Sequence, residues 1–118
     1  MVTMVHGLKR TIWHASGSTV GGIRQFTAPV AVQINWRGLS TSAEMEAFGP
    51  EYMDYRQAVA TNDVVSTFKR FDRVWMDTSP STTFDPLARD ADFYVVGATQ
   101  GAAGIGQLLF KRLSSDGD

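Results

Sequence analysis

Val30, Val32, Ile34 and Trp36 alternate with Ala31, Gln33 and Asn35. Successive side chains of a strand point to opposite faces, so this run predicts a half-buried strand and is incompatible with a helical stripe over the same residues. Pro29 has no N–H to give to a ladder and belongs at the strand's beginning or on an edge. A strand that is apolar on one face needs neighbours, and the rest of the chain supplies them.

Gly7–Ala15 carries strand-favouring residues with no 3.6-residue stripe and predicts a first strand. Ser16–Arg24, punctuated by Gly17, Gly21 and Gly22, reads as a loop. Thr41 or Ser42 ahead of Glu44, Met45 and Glu46 allows a short helical turn within 37–50, ended by Gly49 and Pro50. Alternation returns over Tyr52–Ala60, predicting a third strand. Asp72–Asp77 has strand composition, within an aromatic cluster that includes Phe68, Phe71 and Trp75. Thr78–Asp90, with Pro80 and Pro86, reads as a long exposed loop with room for one helical turn. Asp92–Thr99 and Gln107–Leu113 read as a closing hairpin, and the polar tail at 114–118 is expected to fray. Five or six short strands with long loops predict a mainly β, single-domain chain: a small antiparallel barrel or sandwich over residues 1–118.

Composition narrows what such a domain can do. The chain has 118 residues and no Cys, which removes disulfides, thiolate metal sites and thiol nucleophiles. Its 11 Lys and Arg against 12 Asp and Glu give a net charge of −1, with no broad basic field for nucleic acid. Apolar runs fall short of the ~20 residues of a spanning helix, and Met1–Arg10 has no signal-peptide pattern, so a protein made in the cytoplasm and not placed in a membrane is expected.

Chemical motifs are sparse. His6 and His14 lack metal-ligand spacing, and Ser16 beside His14 does not make a triad. Asp85, Asp90 and Asp92 lack the alternating ligands and central Gly of a calcium loop; they suit a hydrated loop in which Asp85 before Pro86 starts a turn. Gly101, Gly104 and Gly106 are followed by a strand rather than a helix, which favours a hairpin turn over a phosphate cradle. No catalytic residue, metal or cofactor is expected. Trp13, Trp36 and Trp75 suit a core or interface better than a base-stacking platform. Glu44, Glu46, Glu51 and Asp54 are interleaved with Met45, Phe48, Tyr52 and Met53, a mixture of charge and apolar anchors that fits a protein interface as well as a solvated loop.

The order of these features resembles a head-closure, or stopper, protein of tailed bacteriophages. The alternating strand at Val30–Trp36 is followed by Ser42, Ala43, Glu44, Met45, Glu46, Ala47, Phe48 and Gly49, leading into Tyr52–Thr61. Phe71, Asp72, Arg73 and Val74 then open the second half. The closing pair is Ala91–Gly97, with its Phe93-Tyr94-Val95-Val96 run, and Leu108–Leu113. The likeness covers Thr11–Leu113 and departs from the pattern at Thr78–Arg89, where a tighter hairpin is usual.

The resemblance implies a non-enzymatic virion protein at the neck: a ring, expected to be a dodecamer, that binds a portal-adaptor protein on one side and a tail terminator or tail protein on the other. Packaged DNA would meet it only in the channel, without sequence-specific binding. A near-neutral lumen would be in keeping, because dense Lys and Arg would hold DNA and hinder its exit. It places an interface or channel loop at Ser40–Pro50 and its flanks, with Glu44, Met45, Glu46, Phe48, Glu51 and Tyr52; the segment that departs from the pattern, with Phe84, Asp85 and Arg89, is expected to be an added docking loop. The alternatives are a tail terminator or tail-completion ring protein, an oligonucleotide- or oligosaccharide-binding barrel using Trp36 or Trp75, and a small hydrolase using Asp85, Asp90 or His14.

Overall fold

The computed structural model describes residues 9–113, so His6 and the tail at 114–118 lie outside the described residues. Eight strands and two short helices follow one another as β1 (Arg10–Ala15), β2 (Gly17–Val20), β3 (Ile23–Phe26), β4 (Val30–Gly38), α1 (Ser42–Phe48), β5 (Tyr55–Thr61), α2 (Asn62–Val65), β6 (Arg73–Trp75), β7 (Phe93–Thr99) and β8 (Ile105–Arg112). Six of them close into an antiparallel barrel in the order β1-β4-β5-β8-β7-β6, and β2 with β3 forms a separate two-stranded ribbon. Barrel, not sandwich, is therefore the architecture, and closure removes the exposed edges an open sheet would carry.

Period-two patterning fills the interior. Ile12 of β1, Ile34 of β4, Ala58 and Ala60 of β5, Val74 of β6, Phe93 and Val95 of β7, and Leu108 and Phe110 of β8 are buried in one core. β4 presents the expected face, but only Ile34 is fully buried; Val32 and Trp36 are half-buried and Val30 is exposed. In β7 the register slips between Val95 and Gly97, so Ala98, rather than Gly97, continues the inward phase against Leu108.

One end of the barrel is sealed by α2 and the turn after it, which send Val65 and Phe68 into the core. Asn62 clamps this seal to the β7–β8 connection: its Nδ2 donates to Gly101 O at 3.0 Å and its Oδ1 accepts from Gly101 N at 3.1 Å. A Cβ on Gly101 would meet the Ile105 carbonyl oxygen at 2.3 Å, so this turn admits only glycine. The run of glycines thus serves as a hairpin turn over residues 100–104, with Gly106 already in β8.

A second, smaller cluster sits on the outside of the barrel. Ala15, Phe26, Trp75, Ala88 and Ala91 are buried together, with Trp13 and Leu113 against them. The ribbon and the long loop after β6 meet here, joined by Phe26 N donating to Pro86 O at 2.7 Å.

Three expectations change. Ser16–Arg24 is not a loop but most of the β2–β3 ribbon: Gly21 and Gly22 both have positive φ, 59° and 83°, as a type I′ hairpin turn requires. Tyr52–Asp54 belongs to a 3-10 turn over Gly49–Asp54, and the strand begins at Tyr55. Its apparent alternation is broken by Met53, 74% exposed, while Ala58 and Ala60 face the core. Residues 62–65, left without an element by sequence patterning, form α2, one turn long.

Candidate functional site

The insertions between barrel strands carry the surfaces that sequence singled out. α1 starts with a complete capping box: Thr41 Oγ1 accepts from Glu44 N at 3.1 Å, and Glu44 Oε1 accepts from Thr41 N at 3.2 Å. Glu44 also accepts from Ser40 N and receives both Arg37 Nη1 and Nη2, at 3.1 and 2.7 Å. The Arg37 guanidinium first, and the Ser40 and Thr41 amides next, hold its carboxyl at about 2. Arg37 Nη2 also donates to Gln57 Oε1, and Gln57 Nε2 donates to Gln107 Oε1, so α1 is tied across the outer faces of β5 and β8.

Glu44 is therefore committed within the chain. Phe48 is half-buried against Tyr55, with ring centroids 4.6 Å apart, and Tyr52 is half-buried. Glu51 pairs with Lys111 at 3.0 Å. Met45 and Glu46 are the members of this set that face outward without a partner side chain among the described residues, and Met53 joins them. Beneath α1, Leu39, Phe48, Gln57, Gly97, Gln107 and Leu109 line a mainly apolar groove of about 390 Å³.

The loop after β6 is less free than its length suggests. Asp92 accepts from Met76 N and Asp77 N, Asp90 from Ser81 N, and Asp85 from Leu87 N and Arg89 N. The Arg89 amide and guanidinium together hold the Asp85 carboxyl below its ordinary range. Phe84 is 52% exposed and Arg89 extends into solvent. Among the described residues no group of three His, Asp or Glu side chains could hold a metal ion.

Two clusters escaped sequence reasoning. At the sealed end, His14 Nε2 donates to Asp72 Oδ2 at 2.8 Å, and His14 stacks on Phe68 with centroids 4.0 Å apart. Asp72 is fully buried, and its carboxylate also accepts from Lys69 N at 2.9 Å and Gly17 N at 3.0 Å. Burial would raise the Asp72 carboxyl, but His14 and the two amides outweigh it and the carboxyl lies below its usual range. This pair joins β1, the ribbon's root and the turn before β6. With both members buried, it is an internal latch. Fifty-eight positions separate the partners, and no spacing signal connects them.

At the other end, Arg10 and Arg56 lie over the Trp36 ring at 4.0 and 4.2 Å. Arg56 and Arg112 lie over Phe93 at 4.4 and 4.7 Å. Asp77 takes both Arg56 nitrogens, at 2.7 and 2.8 Å, and Arg112 at 3.3 Å. Arg10, Arg56 and Arg112 each lie two residues from an inward-facing apolar position, so a cation continuing the inward phase was the available signal. Trp36 has two guanidiniums over it and Trp75 is buried, so neither ring is an open stacking face.

No family model, no curated protein and no solved structure matches this chain. Among the described residues no helix is long and apolar enough to cross a membrane.

Proposed function

We propose that this chain is a structural subunit of a phage head-tail connector, with the role of a head-closure ring protein. The observation that carries this reading is the distribution of apolar surface. The barrel interior is filled by its own side chains, while most of the large exposed apolar residues sit on the excursions between strands: Val20 and Ile23 on the ribbon, Met45 and Met53 around α1, Phe71 in the turn before β6, Phe84 and Leu87 on the long loop; Val30, at the start of β4, is the exception among the described residues. A barrel that binds a small molecule keeps a cavity or an open mouth for it; this one presents anchors outward, as an assembly subunit needs.

On this reading the subunits form a ring on the channel axis, taken to be dodecameric. One face docks on the portal-adaptor assembly and the other offers the attachment surface for a tail terminator or tail protein. The α1 segment at Ser40–Pro50 lies towards the channel and helps retain packaged DNA, and the 78–90 loop with Phe84, Asp85 and Arg89 is the added docking surface. The mature location is the virion neck.

Light scattering coupled to size exclusion, on the chain alone and mixed with candidate portal-adaptor rings, tests the proposal. Stoichiometric joining of a pre-formed adaptor ring supports it. A chain that ignores every connector component removes it. Met45→Ala with Phe48→Ala is expected to weaken assembly while leaving the monomer folded; unchanged assembly would detach the α1 segment from the interface.

A further inference from the structure

The ribbon ends in a feature that its own chain does not use. Val20 and Ile23 are cross-strand neighbours on either side of the Gly21–Gly22 turn, 54% and 57% exposed. They stand three residues beyond the anchored pair Gly17 and Phe26, about 10 Å at a strand's rise per residue. Single exposed aliphatics are ordinary; two in register at the tip of an otherwise polar hairpin form one patch.

The groove beneath α1 has the opposite shape. Leu39, Phe48 and Leu109 supply apolar walls, and a Cβ placed on Gly97 would touch nothing within 4 Å, so the floor is open there. Its 390 Å³ corresponds to about a dozen waters at ~30 Å³ each, which an apolar tip could displace.

Barrel order decides where these two features lie. The ribbon packs over Trp13 of β1 and Trp75 of β6, the seam that closes the barrel. The groove lies on β5, β8 and β7, with β8 two strands from β6 and three from β1. Tip and groove therefore occupy opposite sides of the barrel, and the tip of one molecule can reach only the groove of another. Charge favours the same pairing. The ribbon carries Arg24 and no carboxylate, whereas 42–54 carries Glu44, Glu46, Glu51 and Asp54 with no Lys or Arg. Glu46 is exposed and makes no ion pair among the described residues, so the acidic character of this segment is turned outward.

We infer that the β2–β3 tip, through Val20 and Ile23, inserts into the α1 groove of a second copy of this chain, the carboxylate-free ribbon entering beside that copy's acidic α1 segment. Contact between opposite sides is heterologous: repeated, it produces a closed ring when the rotation closes and a filament when it does not. The inference rests on the ring reading above and assigns the surfaces that build the ring.

The absence of native cysteine makes a direct test available. Thr99 also lines the groove, so Thr19→Cys beside the tip and Thr99→Cys, both at exposed positions, are combined in one chain and treated with a short bis-maleimide, at high concentration and on adaptor rings. The double variant is expected to give a ladder of trimers and larger species, and each single variant none. Gly97→Val, which fills the groove floor, should lower the ladder yield at least tenfold in that background with the thermal midpoint of unfolding unchanged. Dimers from Thr19→Cys alone would indicate a tip-to-tip contact and overturn the inference, as would a ladder that Gly97→Val leaves intact. Stoichiometric joining of adaptor rings without a ladder overturns the tip-to-groove contact and leaves the connector reading standing. A ladder from a chain that ignores adaptor rings supports the contact and removes the connector reading.

Discussion

The two ends of the barrel solve the same problem, a carboxylate beside cations and aromatic rings, with different degrees of water exclusion. At the sealed end Asp72 is wholly buried, with His14 and two backbone amides on its oxygens. At the other end Asp77 is partly in solvent, and the arginines that reach it also cover Trp36 and Phe93. The difference teaches that the weight of an ion pair depends on what is stranded when one member goes. Removing a buried partner leaves amides and an imidazole with nothing to bond, whereas an exposed partner is replaced by water.

The largest expected effect is at the sealed end. Asp72→Ala should lower unfolding free energy by about 3–5 kcal/mol, measured by urea denaturation; a loss under 1 kcal/mol would mean that the latch relaxes or admits water. The same site sets an acid response. A carboxyl held below its ordinary value contributes stability that is present above the unfolded-state value, near 4 for an aspartate, and lost as pH falls through the lower folded value. Asp72→Asn should therefore flatten part of the acid limb of stability against pH, and an unchanged limb would assign it to other carboxylates.

At the opposite end, Arg56→Ala should cost about 2 kcal/mol, from the bidentate bond to Asp77 and from packing over two rings. A cost equal to that of Asp72→Ala would erase the contrast between the ends. Outside the barrel, Thr41→Ala removes the α1 cap and should cost about 1 kcal/mol, with a matching rise in amide exchange at Glu44 if the helix frays locally. Smallest of all, Arg89→Ala breaks an exposed i,i+4 pair with Asp85 and should leave the denaturation midpoint unmoved. A clear shift there would give this exposed pair a weight in stability that its solvation argues against.

The strands that form the barrel were legible to different extents, for identifiable reasons. Val30–Trp36 announced itself because apolar and polar residues alternate along a long strand whose apolar face centres on buried Ile34, and the β7–β8 hairpin because two apolar runs flank a glycine-rich turn. The ribbon was hidden by its own composition: Gly17, Gly21 and Gly22 suggest a loop until the Gly-Gly pair between Val20 and Ile23 is read as a type I′ turn. Tyr52–Asp54 misled in the other direction, since alternation of apolar and polar residues next to Gly49 and Pro50 also fits a 3-10 turn with Met53 in solvent. Of the surface residues singled out in advance, Glu44 turned inward to Arg37 and the helix cap, while Met45 and Glu46 stayed outside.

What the sequence determined by itself is whatever a few adjacent residues decide through backbone sterics and local hydrogen bonds: the period of β4, a helix cap at Thr41 or Ser42, the turn before β8, and the absence of any thiol chemistry. Closure of β1 onto β6, the burial of Asp72 beside His14, the convergence of Arg10 and Arg56 on Trp36, and the placing of ribbon tip and groove on opposite sides were decided only by the tertiary structure. Each of these joins residues far apart along the chain, and such contacts form only when the whole barrel repays the entropy of closing the loops between them.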